Sequence, residues 1–278
     1  MPELPEVETL RRMLESQVRS RTIAAAHRSR ARLHVSSRGG SLTALVGRRV
    51  ERIDRRGKYL LFGFDAGLSL LSHLGMSGRW LFFDREPEAA MPHVHARIEF
   101  TDGGRLWFQD PRRFGQLRVL DAAQRAKDES LARLGRDPLD PPLGVEELVA
   151  LARGARTSVK VLLLDQRRIA GIGNIYASEI LHRGRIDPRR RAGTLSRQDW
   201  SSIAGEIPAV LGEAIDRMGT TFSMYRTIWG ESGQFGEQLR VYDRAGQPCR
   251  RCGTLIRRIV QAQRSTFFCP SCQRGRRP

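Results

Sequence analysis

Met1-Pro2-Glu3-Leu4-Pro5-Glu6-Val7-Glu8 opens the chain, and the rest of the sequence can be read outward from it. Pro5, followed by Glu6 and Glu8, has the signature of a helix's first turn. Proline is tolerated there because its missing N–H would have no partner, and acids favour the positive end of the helix. Val7, Leu10, Leu14 and Val18 then recur on one face, so a helix over residues 5–19 is predicted. Pro2 is small enough that Met1 is expected to be removed, which leaves a secondary amine at the chain's start. An α-amine titrates about 2.5 units below a lysine, so much more of it is unprotonated and nucleophilic at neutral pH. Such an amine can attack an aldehyde-level carbon and form an iminium ion, a cationic electron sink. Glu3 places a carboxyl beside it. Taken alone, the stretch reads as a helix start; the chemistry depends on what the remaining chain supplies.

Behind the first helix the period changes. Short β-type runs follow at Val50–Asp54, Tyr59–Phe64, Leu68–Leu74, Trp80–Phe83, His95–Phe100, Leu106–Phe108 and Leu117–Leu120. Glycine turns such as Asp65-Ala66-Gly67 and Asp102-Gly103-Gly104 separate them, which argues for a sandwich or barrel. Asp121 to Pro142 reads as a connector with Asp-Pro and Pro-Pro breakers. Helical periods return at Val145–Arg153, Val159–Leu164, Asn174–Arg183 and Gln198–Met218. Met218 to Glu237 has no clean period and reads as a long, functional loop. The division expected is a catalytic part over 1–121, a linker over 122–143, a helical part over 144–237 and a finger over 238–278.

The 278 residues hold 48 Lys+Arg against 30 Asp+Glu, a formal charge of +18. Only Lys58, Lys127 and Lys160 are lysines; every other basic residue is arginine. Such an excess points to a polyanion whose phosphates would be neutralised. No apolar run approaches the roughly 18 residues of a membrane span. The acidic, amphipathic start is not a signal peptide, so a cytoplasmic, nucleoid-associated protein is expected. All four cysteines lie after residue 248, as Cys249-x2-Cys252 and Cys269-x2-Cys272, the spacing of a structural zinc site closing a hairpin. Four thiolates fill the coordination shell, so one structural zinc per chain is expected, with no open position for catalysis. Arg257, Arg258, Arg264, Arg274, Arg276 and Arg277 make the finger region phosphate-seeking.

Three further stretches stand out. Arg55-Arg56-Gly57-Lys58-Tyr59 is a basic turn entering a strand. Ser72-His73-Leu74-Gly75-Met76-Ser77-Gly78 carries a methionine where a polar turn residue is expected. Gln109-Asp110-Pro111-Arg112-Arg113-Phe114-Gly115 sets two arginines beside a phenylalanine. Met, Arg and Phe on adjacent loops could wedge into a base stack, although on the residues alone Met76 and Phe114 read as ordinary core. Gly171-Ile172-Gly173-Asn174 lacks the third glycine of a dinucleotide fingerprint, and the segment before it is helical, so that reading is rejected. A glycine turn feeding a helix still offers amides to a phosphate.

Taken together these segments closely resemble formamidopyrimidine-DNA glycosylase, over nearly the whole chain. The pieces that carry the resemblance are Pro2 to Glu8, Lys58-Tyr59-Leu60, His73 to Gly78, Asp110 to Gly115, Gly173 to Glu179, Gly219-Thr220-Thr221, and the finger with Gln263-Arg264-Ser265-Thr266-Phe267. The resemblance implies an α+β multidomain fold: an N-terminal β-sandwich behind a leading helix, a helix–two-turn–helix domain, and a four-cysteine zinc finger. It implies a monomer acting on double-stranded DNA that contains damaged bases or abasic sites, with the DNA in a cleft between domains. Pro2 would be the Schiff-base nucleophile at C1′ and Glu3 the general acid/base, supported by Glu6. Lys58 would be the donor in β-elimination and Arg264 the donor in δ-elimination. Met76, Arg112 and Phe114 would fill the gap left by an extruded base. His73, His93, Arg156, Lys160 and Asn174 are carried over as DNA contacts. The loop from Met218 to Glu237 matches the family only at its Gly-Thr-Thr start.

Two classes of function stay open at this stage. One is a bifunctional glycosylase and abasic-site lyase for oxidised purines, such as 8-oxoguanine and formamidopyrimidines. The other is a non-catalytic zinc-finger protein that binds damaged DNA on the same scaffold. The sister family, endonuclease VIII, prefers oxidised pyrimidines; it usually has Gly where this chain has Leu4 and lacks an intact Met, Arg, Phe set.

Overall fold

The computed structural model describes residues 1–29, 33, 40–221 and 225–274. Arg276 and Arg277 of the finger, and residues 222–224 of the long loop, lie outside the described residues. The chain divides into two compact units, Met1–Ala132 with Ile215–Gly236, and Arg133–Ala214 with Glu237–Pro278.

In the first unit, α1 (Leu4–Val18) precedes eight strands: β1 (Ile23–Arg28), β2 (Val50–Arg56), β3 (Tyr59–Phe64), β4 (Ser69–His73), β5 (Arg79–Phe83), β6 (Val94–Phe100), β7 (Arg105–Gln109) and β8 (Gln116–Leu120). They form two four-stranded antiparallel sheets, ordered β1-β6-β7-β5 and β2-β3-β4-β8. The expected strand runs are all present within a residue or two. β1, Ile-Ala-Ala-Ala-His-Arg, is an addition: three alanines carry little β signal, and pairing with β6 makes the segment a strand. Trp80 knits the two sheets together. Its ring lies 5.3 Å from Phe62 of the other sheet and 5.0 Å from Phe108 of its own, and its Nε1 donates to Ser72 Oγ at 3.0 Å. The apolar face of α1 enters the same core through Val7, Leu10, Leu14 and Val18, as their spacing required. Tyr225 and Ile228 also join this core. The segment after the last long helix therefore packs within the first unit.

The expected connector contains two short helices, α2 (Ala122–Ala126) and α3 (Glu129–Ala132). Asp121 caps α2 by accepting from the Gln124 amide at 2.8 Å. In the second unit lie α4 (Val145–Ala152), α5 (Val159–Leu164), α6 (Asn174–Arg183) and most of α7 (Arg197–Asp216). The inner face of α7 reads Trp200, Ile203, Ile207, Val210, Leu211 and Ala214, all buried at helical spacing. The hairpin β9 (Arg257–Gln261) and β10 (Arg264–Phe268) completes this unit. Its two-residue turn, Ala262-Gln263, has positive φ at both positions, 45° and 60°, the type I′ pattern that follows the twist of the flanking strands. Among the described residues, no helix is long and apolar enough to cross a membrane.

Candidate active site

The chain's start is held from inside. The Glu3 amide donates to Glu6 Oε2 at 2.7 Å, and the Thr220 amide donates to Glu6 Oε1 at 2.8 Å. Glu6 is 1 % exposed, Glu3 and Pro2 are buried with it, and Lys58 is 7 % exposed. Lys58 occupies the two-residue β2–β3 turn with Gly57, whose φ of 57° suits the first central position of a tight hairpin. The terminal amine, carried by Met1 before processing, is held below its ordinary value by burial. Glu3 and Glu6 oppose the shift, and Lys58 and Arg112 reinforce it. These four side chains are thus within electrostatic reach of one amine, and a depressed amine is the nucleophilic form.

Two loops stand beside this cluster. Gly75 has φ of 60°, and a Cβ there would come within 2.5 Å of the Phe114 carbonyl, so glycine alone lets the loops meet. Asp110, fully buried, organises both. It accepts from Ser77 Oγ at 2.5 Å and from the Gly115 amide at 2.7 Å, while Ser77 Oγ accepts from the Arg112 amide at 3.2 Å. The outcome is a presented set. Met76 is 43 % exposed, and the Arg112 guanidinium lies over the half-buried Phe114 ring at 4.8 Å. Reading Met76 as core is therefore overturned: its flanking glycines and the Ser77–Asp110 bond turn the side chain outward. His93, exposed at φ of 62°, passes its carbonyl to the Asp110 amide at 2.9 Å. His73 accepts from the Gly75 amide at Nδ1, 3.1 Å, leaving Nε2 as the N–H donor. Burial, and then Lys58, pull its pKa down to about 4, so it meets a ligand as a neutral donor.

The second unit carries the other candidates. Arg264 is exposed at the first position of β10, and Arg156 is exposed between α4 and α5. Lys160 is 0 % exposed: its ammonium donates to the Ser265 carbonyl at 2.8 Å and to Thr266 Oγ1 at 2.7 Å. Asn174, in the first turn of α6, donates to the same Ser265 carbonyl at 2.9 Å. Lys160 was expected to meet the DNA backbone; the structure turns its charge inward, onto the strand that carries Arg264.

The four cysteine sulfurs all lie within 4.8 Å of one another. Neighbouring pairs are at 3.4 Å (Cys252–Cys272), 3.5 Å (Cys252–Cys269) and 3.9 Å (Cys249–Cys272), close to the roughly 3.8 Å edge of a tetrahedral zinc–thiolate site and far from a disulfide bond. Amides of Arg251 and Cys272 point at Cys249 and Cys269 sulfurs, each at 3.4 Å. This donor set fits zinc, and when bound the ion fixes the loops that flank the β9–β10 hairpin. Two residues without an expected role support this region. His182 Nε2 lies 3.6 Å from Cys249 Sγ, the place of an outer-shell ligand to the sulfur. Glu179 accepts amides from Arg240, Val241 and Tyr242, each at 2.9 Å, and burial pushes its carboxyl up. An acid inside the apolar run Ile175 to Leu181 was the signal available for it.

Comparison with known sequences matches three family profiles along the chain. Residues 1–117 match the formamidopyrimidine-DNA glycosylase N-terminal domain, 134–226 the formamidopyrimidine-DNA glycosylase H2TH domain, and 246–275 the zinc finger found in FPG and IleRS. The chain belongs to the formamidopyrimidine-DNA glycosylase family. It is 44 % identical to the formamidopyrimidine-DNA glycosylase of Chloroflexus aggregans over 275 residues, 98 % of each chain. It is 43 % identical to that of Paracoccus denitrificans over 282 residues, 98 % of this chain and all of the other. Among solved structures it is similar to the MutM (FPG) protein of Thermus thermophilus, with a TM-score of 0.87, 38 % identity and 98 % coverage of both chains. It is also similar to a Lactococcus lactis FPG variant in complex with Fapy-dG-containing DNA, with a TM-score of 0.89, 31 % identity, and coverage of 99 % and 100 %. The α+β multidomain fold and the zinc-finger assignment agree with these relatives of the formamidopyrimidine-DNA glycosylase family.

Proposed function

We propose that this chain removes oxidised purines from double-stranded DNA and then cuts the strand at the abasic site. Its relatives act under that name, and their solved complexes hold Fapy-dG DNA, abasic-site DNA and a carbocyclic 8-oxo-G DNA. The observation that carries the reading is the terminal amine set among Glu3, Glu6, Lys58 and Arg112. A DNA-binding protein without chemistry has no need of buried carboxyls and a buried lysine gathered at the start of its chain. The intact Met76, Arg112 and Phe114 set disfavours the endonuclease VIII alternative.

In this reading the Pro2 nitrogen attacks C1′ and the glycosidic bond breaks, with Glu3 managing the proton for base loss and sugar opening. The resulting iminium acidifies C2′. Loss of a C2′ proton expels the 3′ phosphate, with Lys58 as donor; a second elimination expels the 5′ phosphate, with Arg264 as donor. Chemistry at C1′ requires the nucleotide out of the stack, at about a few kcal/mol, which Met76, Arg112 and Phe114 offset by filling the gap. His73, His93, Arg156 and Asn174 contact the DNA, and Lys160 acts indirectly, through the β10 strand. Zinc bound by Cys249, Cys252, Cys269 and Cys272 holds the finger and takes no part in the chemistry. The functional parts in this reading are a catalytic part over 1–121, which residues 215–236 join in one compact unit, a helical part over 144–214 and a finger over 238–278, with the 122–143 linker, working as a monomer on nucleoid DNA in the cytoplasm.

Borohydride trapping on an abasic-site duplex, followed by mass spectrometry, tests the nucleophile. The adduct is expected on Pro2, and a chain that retains Met1 should bind DNA within severalfold yet form none. Glu3→Gln should lose base excision but still be trapped at an abasic site. An adduct on Lys58 would overturn the assignment.

A further inference from the structure

Glu6 is separated from Thr220 by 214 positions, yet one carboxylate oxygen takes the Thr220 amide and the other takes the Glu3 amide, at 2.8 Å and 2.7 Å. The Glu3 amide belongs to the rigid peptide plane that also carries the Pro2 carbonyl. One free torsion, ψ of Pro2, therefore separates a pinned plane from the ring nitrogen. On the other side, Gly219 has φ of 78°, and a Cβ there would sit 2.7 Å from Glu6 Oε1 and 2.8 Å from its Cγ. Only glycine lets that turn reach the carboxylate. The turn is fixed at its base, where the Phe235 amide donates to the Gly219 carbonyl at 2.9 Å and the Gln234 amide to the Arg217 carbonyl at 2.9 Å. Gly233 packs so closely that a Cβ on it would come 2.4 Å from the Gly219 carbonyl. Tyr225, part of the sandwich core, approaches the Glu6 carbonyl through its hydroxyl at 3.5 Å.

We propose that Glu6 is a positioning residue that couples the Gly219-Thr220 turn to the Pro2 amine, so that a displacement of the turn misplaces the nucleophile. This rests on Pro2 as the nucleophile and says how a segment remote in sequence governs it. Glu6 is then not a proton carrier for the reaction. Both of its oxygens are acceptors for backbone N–H groups, one at each end of the link. The charged groups that reach the chain's terminal amine, Met1's in the unprocessed chain, are Glu3 just before α1, Glu6 within it, Lys58 of the β2–β3 turn and Arg112 of the Asp110 loop, with Tyr225 behind Glu6.

The test compares Glu6→Gln, Gly219→Ala and the double variant in the zinc-loaded full chain. Single-turnover excision and borohydride trapping are followed across pH. Glutamine keeps one acceptor and sets an NH2 group against the other N–H, so one end of the link is lost. Each single variant should slow trapping roughly ten- to hundredfold, the range for an ångström-scale misplacement. The double variant should be no slower than the worse single one, because both break the same link. Glu6→Gln also removes a charge that raises the amine's pKa, so the acid limb of its lyase profile should move to lower pH; in Gly219→Ala that limb should stay in place. Multiplicative losses, or a Gly219→Ala protein that traps at the parental rate, would overturn the coupling alone. An adduct away from Pro2 in the parent would overturn the nucleophile and the coupling with it. If Gly219→Ala does not fold, hydrogen exchange of Glu6→Gln decides: the amides of Glu3 and Thr220 should exchange faster than in the parent, and unchanged exchange would sink the link.

Discussion

Replacing Lys160 by methionine asks whether α5 touches DNA directly or only shapes what does. The ammonium has no exposed surface and donates to the Ser265 carbonyl at 2.8 Å and to Thr266 Oγ1 at 2.7 Å. Methionine keeps the unbranched length and removes the charge. Each charged-donor bond contributes about 1.5–3 kcal/mol, so about 3–6 kcal/mol of interaction disappears. Against this, an ammonium no longer has to be kept dry, which offsets several kcal/mol. Asn174 stays on the Ser265 carbonyl, so that acceptor is not orphaned. A net loss of about 1–3 kcal/mol in unfolding free energy is expected. The DNA readout is sharper. Each phosphate contact contributes about 0.9 to the slope of log affinity against log salt. Lys160→Met should leave that slope unchanged, whereas Arg264→Ala, at an exposed position, should lower it by about 1. Fluorescence anisotropy of an abasic-analogue duplex between about 50 and 200 mM salt measures both. A slope lowered by about 1 in Lys160→Met, with parental stability, would refute the inward placement of this charge.

Metal analysis should find one zinc per chain, and chelation or Cys249→Ser should unfold the finger and abolish DNA binding; full activity without zinc would contradict this. Folding holds His73 neutral with a pKa of about 4 against 6.5 ordinarily. The unfolded chain therefore binds more protons between about pH 4 and 6.5, so this contribution to stability is complete above 6.5 and fades as pH falls toward 4. Ring-proton NMR should show no titration of His73 between about pH 5.5 and 8, and a midpoint near 6.5 would show the burial argument to be wrong. Asp110→Ala removes buried acceptors for Ser77 Oγ and the Gly115 amide. It should cost about 3–5 kcal/mol of stability and reduce lesion excision more than cleavage at a pre-formed abasic site, where flipping is easier. Equal losses on the two substrates would assign Asp110 to folding alone.

The sequence by itself determined the elements whose signal is local. Seven strand runs, the amphipathic face of α1, the periods of α4 to α7 and the cysteine spacing are properties of neighbouring residues, and they appear where the pattern placed them. What depended on distant partners was decided only by the tertiary structure. β1 is a strand because β6 offers it a ladder, not because Ile-Ala-Ala-Ala-His-Arg demands one. Met76 looked like core by composition, and the bond from Ser77 to Asp110, 33 positions away, turns it outward. Lys160 looked like a phosphate ligand by charge, and Ser265, 105 positions on, draws its ammonium into the protein. Glu6 looked like a first-turn acid, and its second oxygen belongs to Thr220. Periodicity reports which face of an element is dry. Which polar group meets a buried charge is set by chain segments that only the fold brings within 3 Å, because a buried donor or acceptor must find a partner wherever the fold supplies one.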